Sequence, residues 1–261
     1  MNLWHEGRIC SFDVETSGVE VHADRIVSAA IVEVGNGQRT ETMTWLTDVD
    51  GQEIPEGASA VHGISTERAR AEGMPAKQAV REIGETLAGA VALGRPIVIY
   101  NAAFDWSMLH AELRRHGHDD VVADLEGALI VDPFCLDKWL NRFRRGSRKL
   151  AAVCAEHNVS LDDAHDASAD ALAAARLAWV MCHTGVTVQR RVRTDMERDE
   201  LIELRTAWKR LRDDLPTLHA AQVSWAAEQA RGLREHFERK GDVEAAASVS
   251  EEWPMRRIAV V

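Results

Sequence analysis

The chain has 261 residues, of which 46% are hydrophobic and 28% are charged, and its formal net charge at pH 7 is −11. This length accommodates one large domain, or a domain of about 180 residues followed by an appendage. The acidic balance excludes a generally basic nucleic-acid coat protein, but it leaves room for an acidic metal site and a local basic surface.

The amino terminus and the cysteines indicate the compartment. The first ten residues, MNLWHEGRIC, contain no basic stretch followed by an apolar core, so we expect no secretory signal. Apolar runs are too short to span a membrane. The four cysteines are scattered and form no CxxC pair, which is typical of reduced, buried thiols: Cys10, Cys135, Cys154 and Cys182. We therefore expect a cytoplasmic protein without membrane association.

The first part of the chain has the pattern of an antiparallel sheet. Strands are predicted over residues 8–15, 25–34 and 39–46, with the turn sequence GNG between the last two. A long loop carrying EIPEGASAVHGIS is expected to follow.

Strand and helix patterns alternate after residue 75. Strands are predicted over 95–101 and 128–133, and helices over 76–92, 102–117, 134–144, 148–157 and 167–183. Alternation of this kind predicts that the later strands join the sheet in parallel. Residues 1–185 are thus predicted to form one α/β domain with a mixed sheet.

Residues 186–261 have a different pattern, which predicts a helical hairpin extension. The charged segment MERDELIELRTAWKRLRDDL carries an apolar seam with spacings of three and four: Leu201, Leu204, Trp208, Leu211 and Leu215. A second helix is expected to begin at Pro216 and to end near Gly241. The seam could pack on the first domain, on a second copy of the chain in a homodimer, or on a partner protein.

Two acids lie one residue apart in SFDVETSG, at the end of the first predicted strand. Alternation along the strand places Asp13 and Glu15 on one face, opposite Phe12. Two carboxylates about 5 Å apart repel each other by roughly 3 kcal/mol at an effective dielectric constant near 20. Such a pair therefore requires a cation between the two groups or full solvation.

Further candidates occur at two other element boundaries. Asp105 lies in the first turns of the helix after VIYN, and His165 and Asp170 lie where a loop becomes the helix of HDASADALAA. Taken singly, an acid near a helix start is usually explained by the helix dipole, and a single histidine is usually structural. Their joint order along one α/β domain instead indicates a shared site, and carboxylate oxygens are the ligands that Mg²⁺ prefers.

The segments FDVETSG, NAAFDWSML and HDASADALAA resemble the three exonuclease motifs of the DEDDh, DnaQ-like family of 3′–5′ exonucleases. The resemblance spans about residues 8–183 and includes AVHGIS, which is similar to the family's substrate loop. His165 stands five positions before Asp170, whereas the tyrosine branch of the superfamily has a tyrosine four residues before its last aspartate. Tyr100 stands where many relatives have histidine. The resemblance implies a ribonuclease H-like fold, with a mixed five-stranded sheet flanked by helices.

The resemblance also implies a chemistry. Four carboxylates would hold two Mg²⁺ ions, for which Mn²⁺ could substitute: Asp13, Glu15, Asp105 and Asp170. His165 would act as the general base that takes a proton from the attacking water. The expected reaction is hydrolysis of phosphodiester bonds at the 3′ end of single-stranded or frayed DNA, as in proofreading or repair, with a polymerase-like protein as one candidate partner of the C-terminal helices.

Predicted substrate contacts fall into two groups. The first lies near the motifs and comprises Thr16, Gly18, His62, Asn101 and Phe104, although a phenylalanine on an apolar helix face is more often a core residue. The second is the basic segment RFRRGSRK, whose Arg145 and Arg148 are predicted to follow the phosphates. A solvated connection between two helices would explain the same segment equally well.

Two alternatives remain open at this point. One is an exoribonuclease that trims RNA 3′ ends, because recognition of the 2′-hydroxyl depends on pocket details. The other is a non-catalytic module that binds nucleic acid or a partner on the same fold. A complete set of five site residues favours an enzyme, since a module that only binds has no chemical need for them.

Overall fold

The computed structural model describes residues 3–142, 144–161, 165–184 and 195–256, and for residues 195–198 it describes the backbone alone. The strands are β1 Arg8–Thr16, β2 Ile26–Gly35, β3 Glu41–Leu46, β4 Ile97–Val98 and β5 Ile130–Val131. The helices are α1 Glu56–His62, α2 Thr66–Glu72, α3 Ala76–Ala92, α4 Ala102–Arg115, α5 Asp119–Asp124, α6 Pro133–Leu140, α7 Leu150–Glu156, α8 Ala167–Thr184, α9 Asp195–Asp213, α10 Leu215–Lys240 and α11 Val243–Ser248.

The strands form one five-stranded sheet in the order β3-β2-β1-β4-β5. β1 and β3 are antiparallel to β2, whereas β4 is parallel to both β1 and β5. This confirms the predicted mixed sheet flanked by helices. Because β1, β4 and β5 run in the same direction, the residues that follow them meet at one edge of the sheet, where ligand sites of open α/β sheets usually lie.

Both faces of β1 are covered, so the strand that carries the first two acids is held rigidly. Cys10, Phe12 and Val14 belong to the larger hydrophobic cluster, with α3 and α4. On the opposite face α8 packs against β1 and β2, and the buried Ser11 hydroxyl donates to the Val98 carbonyl at 3.0 Å. Phe12 therefore lies in the hydrophobic core.

Several elements differ from the prediction. The segment predicted as a long loop contains α1 and α2, and α5 and α11 were not predicted at all. α1 buries none of its side chains, so it has no hydrophobic periodicity that a sequence could reveal. β4 and β5 have two paired residues each, because the apolar runs of 95–101 and 128–133 turn into α4 and α6 soon after pairing begins.

The C-terminal helices share the hydrophobic cores of the preceding segment. Leu201, Trp208 and Leu215 of the predicted seam are buried in one cluster with Val98 of β4. The indole N–H of Trp208 donates to the Met181 carbonyl of α8 at 3.2 Å. Packing within the chain therefore covers these three side chains. The predicted boundary between residues 185 and 186 lies outside the described residues.

Among the described residues, no helix combines the length and the apolar character needed to cross a bilayer.

Candidate active site

Asp13 and Glu15 extend from the central strand at the edge where β1 ends. Asp13 is paired with Ala30 of β2 and Glu15 with Ser28, and the register shifts directly after Glu15. Both side chains are half-buried, whereas their neighbours Phe12 and Val14 are buried in the core. The alternation predicted from the sequence thus places the two carboxylates on the same face.

Asp105 is brought to this edge by α4, which begins shortly after β4. Its side chain is 5% exposed, and its Oδ1 accepts a hydrogen bond from the backbone N–H of Val14 at 3.2 Å. That N–H lies between Asp13 and Glu15 in the chain. The second motif is therefore joined directly to the first, although 91 residues separate the two partners.

Asp170 and His165 reach the same place from the start of α8. The backbone N–H of His165 donates to Oδ2 of Asp170 at 3.4 Å. Ligand atoms of Glu15, His165 and Asp170 all lie within 4.8 Å of one another. His165 has a φ of 71°, a left-handed conformation that is uncommon outside glycine and that tends to occur at functional sites.

The carboxylates raise one another's pKa. Burial raises the pKa of Asp13 well above its ordinary value, and the negative charges of Asp105 and Asp170 raise it further. Burial and the same two charges raise the pKa of Glu15 to about 8.

The remaining two acids are also shifted by burial. The pKa of Asp105 is raised to about 7, against the opposing effect of the Val14 N–H. Burial also raises the pKa of Asp170, although the N–H of His165 opposes this. Within the described part of the chain, the cluster thus holds several carboxylates whose charges repel one another.

This donor set fits a divalent cation. Oδ1 of Asp170 is buried without a hydrogen-bond partner in the described structure. Buried polar atoms are rarely left unpaired, which makes this oxygen a candidate metal ligand. Hard carboxylate oxygens suit Mg²⁺ or Mn²⁺, and a bound cation would offset both the burial of these groups and the repulsion that further raises the pKa of Asp13 and Glu15. The residues that would hold it are Asp13, Glu15, Asp105 and Asp170.

A cleft of about 220 Å³ opens beside these acids. Glu15 and His165 line it together with His62 of α1 and Asp166. Nε2 of His62 is buried without a partner among the described residues, while its Nδ1 accepts from the Ile64 N–H at 3.2 Å. The predicted substrate residue His62 therefore lies at the cleft, next to the predicted catalytic residues.

Thr16 and Gly18 lie in the turn that follows β1. The Thr16 hydroxyl donates to the Gly18 carbonyl at 2.7 Å. Asp24 closes the turn by accepting from the Ser17 hydroxyl at 3.1 Å and from the Glu20 N–H at 2.7 Å. A Cβ at position 18 would lie 2.4 Å from Oδ2 of Asp24, so a larger residue there would displace the carboxylate that closes the turn.

Asn101 and Phe104 flank the start of α4. Asn101 is exposed and has a left-handed φ of 60°, which asparagine tolerates better than most residues. Phe104 is half-buried and packs against the larger hydrophobic cluster. Their predicted contacts with substrate stay predictions.

The two arginines predicted to follow the phosphates have different surroundings. Arg145 is exposed. The guanidinium of Arg148 forms an ion pair with the buried Asp137 and donates to the Asn141 carbonyl at 2.7 Å. Arg148 also lines a groove of about 1290 Å³ between this segment and the C-terminal helices. Acids line the same groove, among them Glu156 and Glu228, so its charge is mixed.

Sequence reasoning missed two acids that organise the site. Asp166 accepts from the N–H groups of Ser168 and Ala169 at 3.0 and 3.1 Å and so caps α8, which carries Asp170. Asp132 caps α6 through the Phe134 N–H at 2.9 Å. An aspartate before a helix, followed by proline in the case of Asp132, is a recognisable capping signal. The further contacts of Asp132 have no sequence signal.

Comparison with known proteins identifies the family to which the chain belongs. The family model of the exonucleases called RNase_T matches residues 10–178. Among solved structures, the zinc-bound complex of Escherichia coli exonuclease I with single-stranded DNA has a TM-score of 0.59 and 19% identity, covering 76% of this chain and 43% of that chain. The same enzyme with a dT13 oligonucleotide gives 0.55 and 19%, covering 75% and 43%.

Exonuclease I from Methylocaldum szegediense gives a TM-score of 0.54 and 18% identity, covering 75% of this chain and 45% of that chain. Such identities show a shared fold, and the chain spans less than half the length of these structures. A comparison with curated proteins finds no significant match. The family match covers most of the α/β segment and contains all five predicted catalytic positions, so the chain belongs to the DEDDh, DnaQ-like exonuclease family.

Proposed function

We propose that the protein is a 3′–5′ exonuclease that depends on divalent metal ions and hydrolyses the terminal phosphodiester bond of single-stranded DNA. The observation that supports this most strongly is the convergence of ligand atoms of Glu15, Asp170 and His165 within 4.8 Å of one another, beside the half-buried Asp13 and the buried Asp105. A surface that only bound nucleic acid would gain nothing from this concentration of negative charge, which repels phosphate.

In this proposal Asp13, Glu15, Asp105 and Asp170 hold two Mg²⁺ ions. Two such ions, when bound, stabilise the attacking and leaving oxygens of an in-line displacement at phosphorus. His165 takes the proton from the attacking water. Its exposed position at the cleft leaves the ring accessible to water, and the hydrogen bond from its N–H to Asp170 fixes the backbone that carries the ring.

The cleft and the turn after β1 then hold the terminal nucleotide. We assign His62, which lines the cleft, and the Thr16–Gly18 turn, which follows Glu15, to contacts with its sugar or base. Asn101 and Phe104 lie at the start of the helix that carries Asp105 and are assigned the same role. Support for single-stranded DNA comes from the fold, because E. coli exonuclease I, which shares it, has been solved with single-stranded oligonucleotides.

The deciding experiment compares three substrates that carry the same 3′ label: single-stranded DNA, blunt duplex DNA and single-stranded RNA of identical sequence. We expect Mg²⁺-dependent release of mononucleotides from single-stranded DNA, a slower release from the duplex, and loss of both in excess chelator. Faster release from RNA would identify an exoribonuclease. Tight binding of all three without any release would identify a module that only binds nucleic acid.

A further inference from the structure

The first turn of α4 is held by an acid from another element. The residue at its N-cap, Asn101, forms no side-chain cap. Instead, Asp132 accepts from the Asn101 N–H at 2.9 Å through Oδ1 and from the Ala102 N–H at 3.1 Å through Oδ2. Unpaired N–H groups at a helix start attract an acceptor and favour a negative charge. Asp132 therefore fixes the turn from which Asp105 extends.

Asp132 is in turn held by the C-terminal part of the chain, beyond the segment that matches the family. Its backbone N–H donates to Oε1 of Gln222 at 2.8 Å, and Nε2 of Gln222 donates to the Ile130 carbonyl at 3.0 Å. The indole N–H of Trp253 donates to Oδ2 of Asp132 at 3.3 Å. Gln222 is 0% and Trp253 8% exposed, so water does not replace these contacts easily.

The polar groups of Gln222 also close the outer edge of the sheet. β5 is the last strand in the order, and an unpaired strand edge leaves its N–H and C=O groups without partners. Nδ1 of His219 accepts from the Ile130 N–H at 3.0 Å, next to the two contacts of Gln222. Side chains of α10 thus take the place of a sixth strand. They fix the position at which the chain leaves β5 and reaches Asp132.

The segment that follows α11 also contacts α4 itself. The backbone N–H of Arg256 donates to the Ser107 hydroxyl at 2.8 Å, and this hydroxyl donates to the Ala103 carbonyl at 2.7 Å. Ser107 is 0% exposed and lies two residues after Asp105. The segment therefore contacts α4 two residues after the candidate metal ligand, at a hydroxyl that is also bonded to the first turn of the helix.

We infer that Gln222 and Trp253 are positioning residues of the active site, which act through Asp132 on α4 and so place Asp105. This rests on the proposed function, because placement of Asp105 matters for metal binding and hydrolysis. Groups that orient a metal ligand typically change metal affinity or activity by about 10–100-fold when they are lost. On this account Gln222 of α10 and Trp253 in the segment after α11 support the active site, in addition to their contribution to the core, whereas α9 does not.

The test uses the full chain and three substitutions, of which the first two are a matched pair. Trp253→Phe keeps an aromatic ring but removes the donor to Asp132. Trp208→Phe removes an equivalent donor, from an indole that is 1% exposed, to a carbonyl of α8. Both variants should lose stability to a similar extent, so a difference between them isolates the effect on α4. Gln222→Met is a third variant that removes the other contact with Asp132 at nearly constant volume.

Three quantities are measured, two of them without DNA. We expect Trp253→Phe and Gln222→Met to bind Mn²⁺ about tenfold more weakly, to exchange the amides of residues 101–105 faster, and to lower kcat while KM for DNA stays unchanged. Trp208→Phe should match the wild type in all three. Identical Mn²⁺ affinity and identical exchange at 101–105 in Trp253→Phe and Trp208→Phe would overturn the inference.

Failure of the proposed function would be seen separately, as a wild-type protein that releases no nucleotide at any Mg²⁺ concentration. In that case the Mn²⁺ affinities and the amide exchange, which need no hydrolysis, still decide whether Gln222 and Trp253 position Asp105.

Discussion

Asp137 and the acids of the candidate site have opposite surroundings. Asp137 of α6 has a fully buried side chain that forms ion pairs with Arg144, at 3.1 Å, and with Arg148. Burial alone would raise its pKa, but contacts from His157 and Arg144 and the charge of Arg148 lower the pKa to about 2. The acids at the end of β1 have no such partners among the residues that the structure describes, and their pKa values are raised.

The difference distinguishes a structural acid from the acids to which the proposed function assigns a metal ion. A buried charge is tolerated when cations and hydrogen bonds surround it, as at Asp137. At the candidate site the chain places acids beside acids, with an oxygen of Asp170 left unpaired. The carboxylates of the candidate site therefore repel one another, and a divalent ion would relieve this repulsion. Four substitutions test this difference.

The largest effect is expected for Asp13→Asn. It removes the charge at the centre of the cluster and should lower kcat by about 10³-fold or more, since several kcal/mol of charge stabilisation would be lost. Nucleotide release from 3′-labelled single-stranded DNA measures this. Asp124→Asn, at an exposed acid of α5, is the control. Turnover of Asp13→Asn at the control's rate would refute the assigned role.

The next largest effect is a loss of stability on substitution of Asp137. Asp137→Asn leaves Arg144 and Arg148 without their counter-charge, which should reduce the free energy of unfolding by about 3 kcal/mol. Urea unfolding in the presence of chelator measures it, and Asp13→Asn under the same conditions should cause no comparable loss. A reduction below about 1 kcal/mol for Asp137→Asn would mean that the ion pairs are not structural.

The third prediction concerns pH. Because the folded pKa of Glu15 is raised to about 8, the native state binds more protons than the unfolded chain between the ordinary glutamate pKa and pH 8. The free energy of unfolding should therefore fall as pH rises through this window. In chelator at pH 8.5, Glu15→Gln should melt roughly 2–4 °C above the wild type, the shift that 1 kcal/mol gives in a chain of this size.

At pH 4.5, and also at pH 8.5 with Mg²⁺ present, that difference should largely disappear, because protons or the ion then neutralise the cluster. Glu126→Gln, at an exposed glutamate, is the matched control. A Glu15→Gln variant that melts below the wild type at pH 8.5 in chelator would show that the site carries no net repulsion.

The smallest effect is expected in the basic segment. Arg145 is exposed, whereas Arg148 is engaged with Asp137. Arg145→Ala should raise KM for single-stranded DNA a few-fold at low salt, with little effect at high salt, because one phosphate contact is lost. The control is Arg239→Ala, an exposed arginine near the end of α10. Equal KM values for both variants would remove Arg145 from the substrate path.

The central part of the site was predictable because its acids stand where secondary structure changes. Asp13 and Glu15 end a strand with clear alternation, and Asp105 follows an apolar run that leads into a helix. Carboxyl ends of neighbouring strands meet at one edge, so local patterns sufficed to bring these acids together. The mixed sheet was predictable for the same reason.

The support of the site was not predictable. Asp132 contacts Asn101, Gln222 and Trp253, which lie 31, 90 and 121 residues away in the chain. None of these contacts leaves a periodic or local signal. α1 was missed because it buries no side chain, and the role of Arg148 depends on a pairing with Asp137 that only the fold reveals.

The most direct test of the central claim is an anomalous difference map, at the manganese edge, of crystals grown with Mn²⁺. We expect two peaks between the carboxylates of Asp13, Glu15, Asp105 and Asp170, with His165 facing them. Manganese bound elsewhere on the chain while these four carboxylates share no peak would contradict the account.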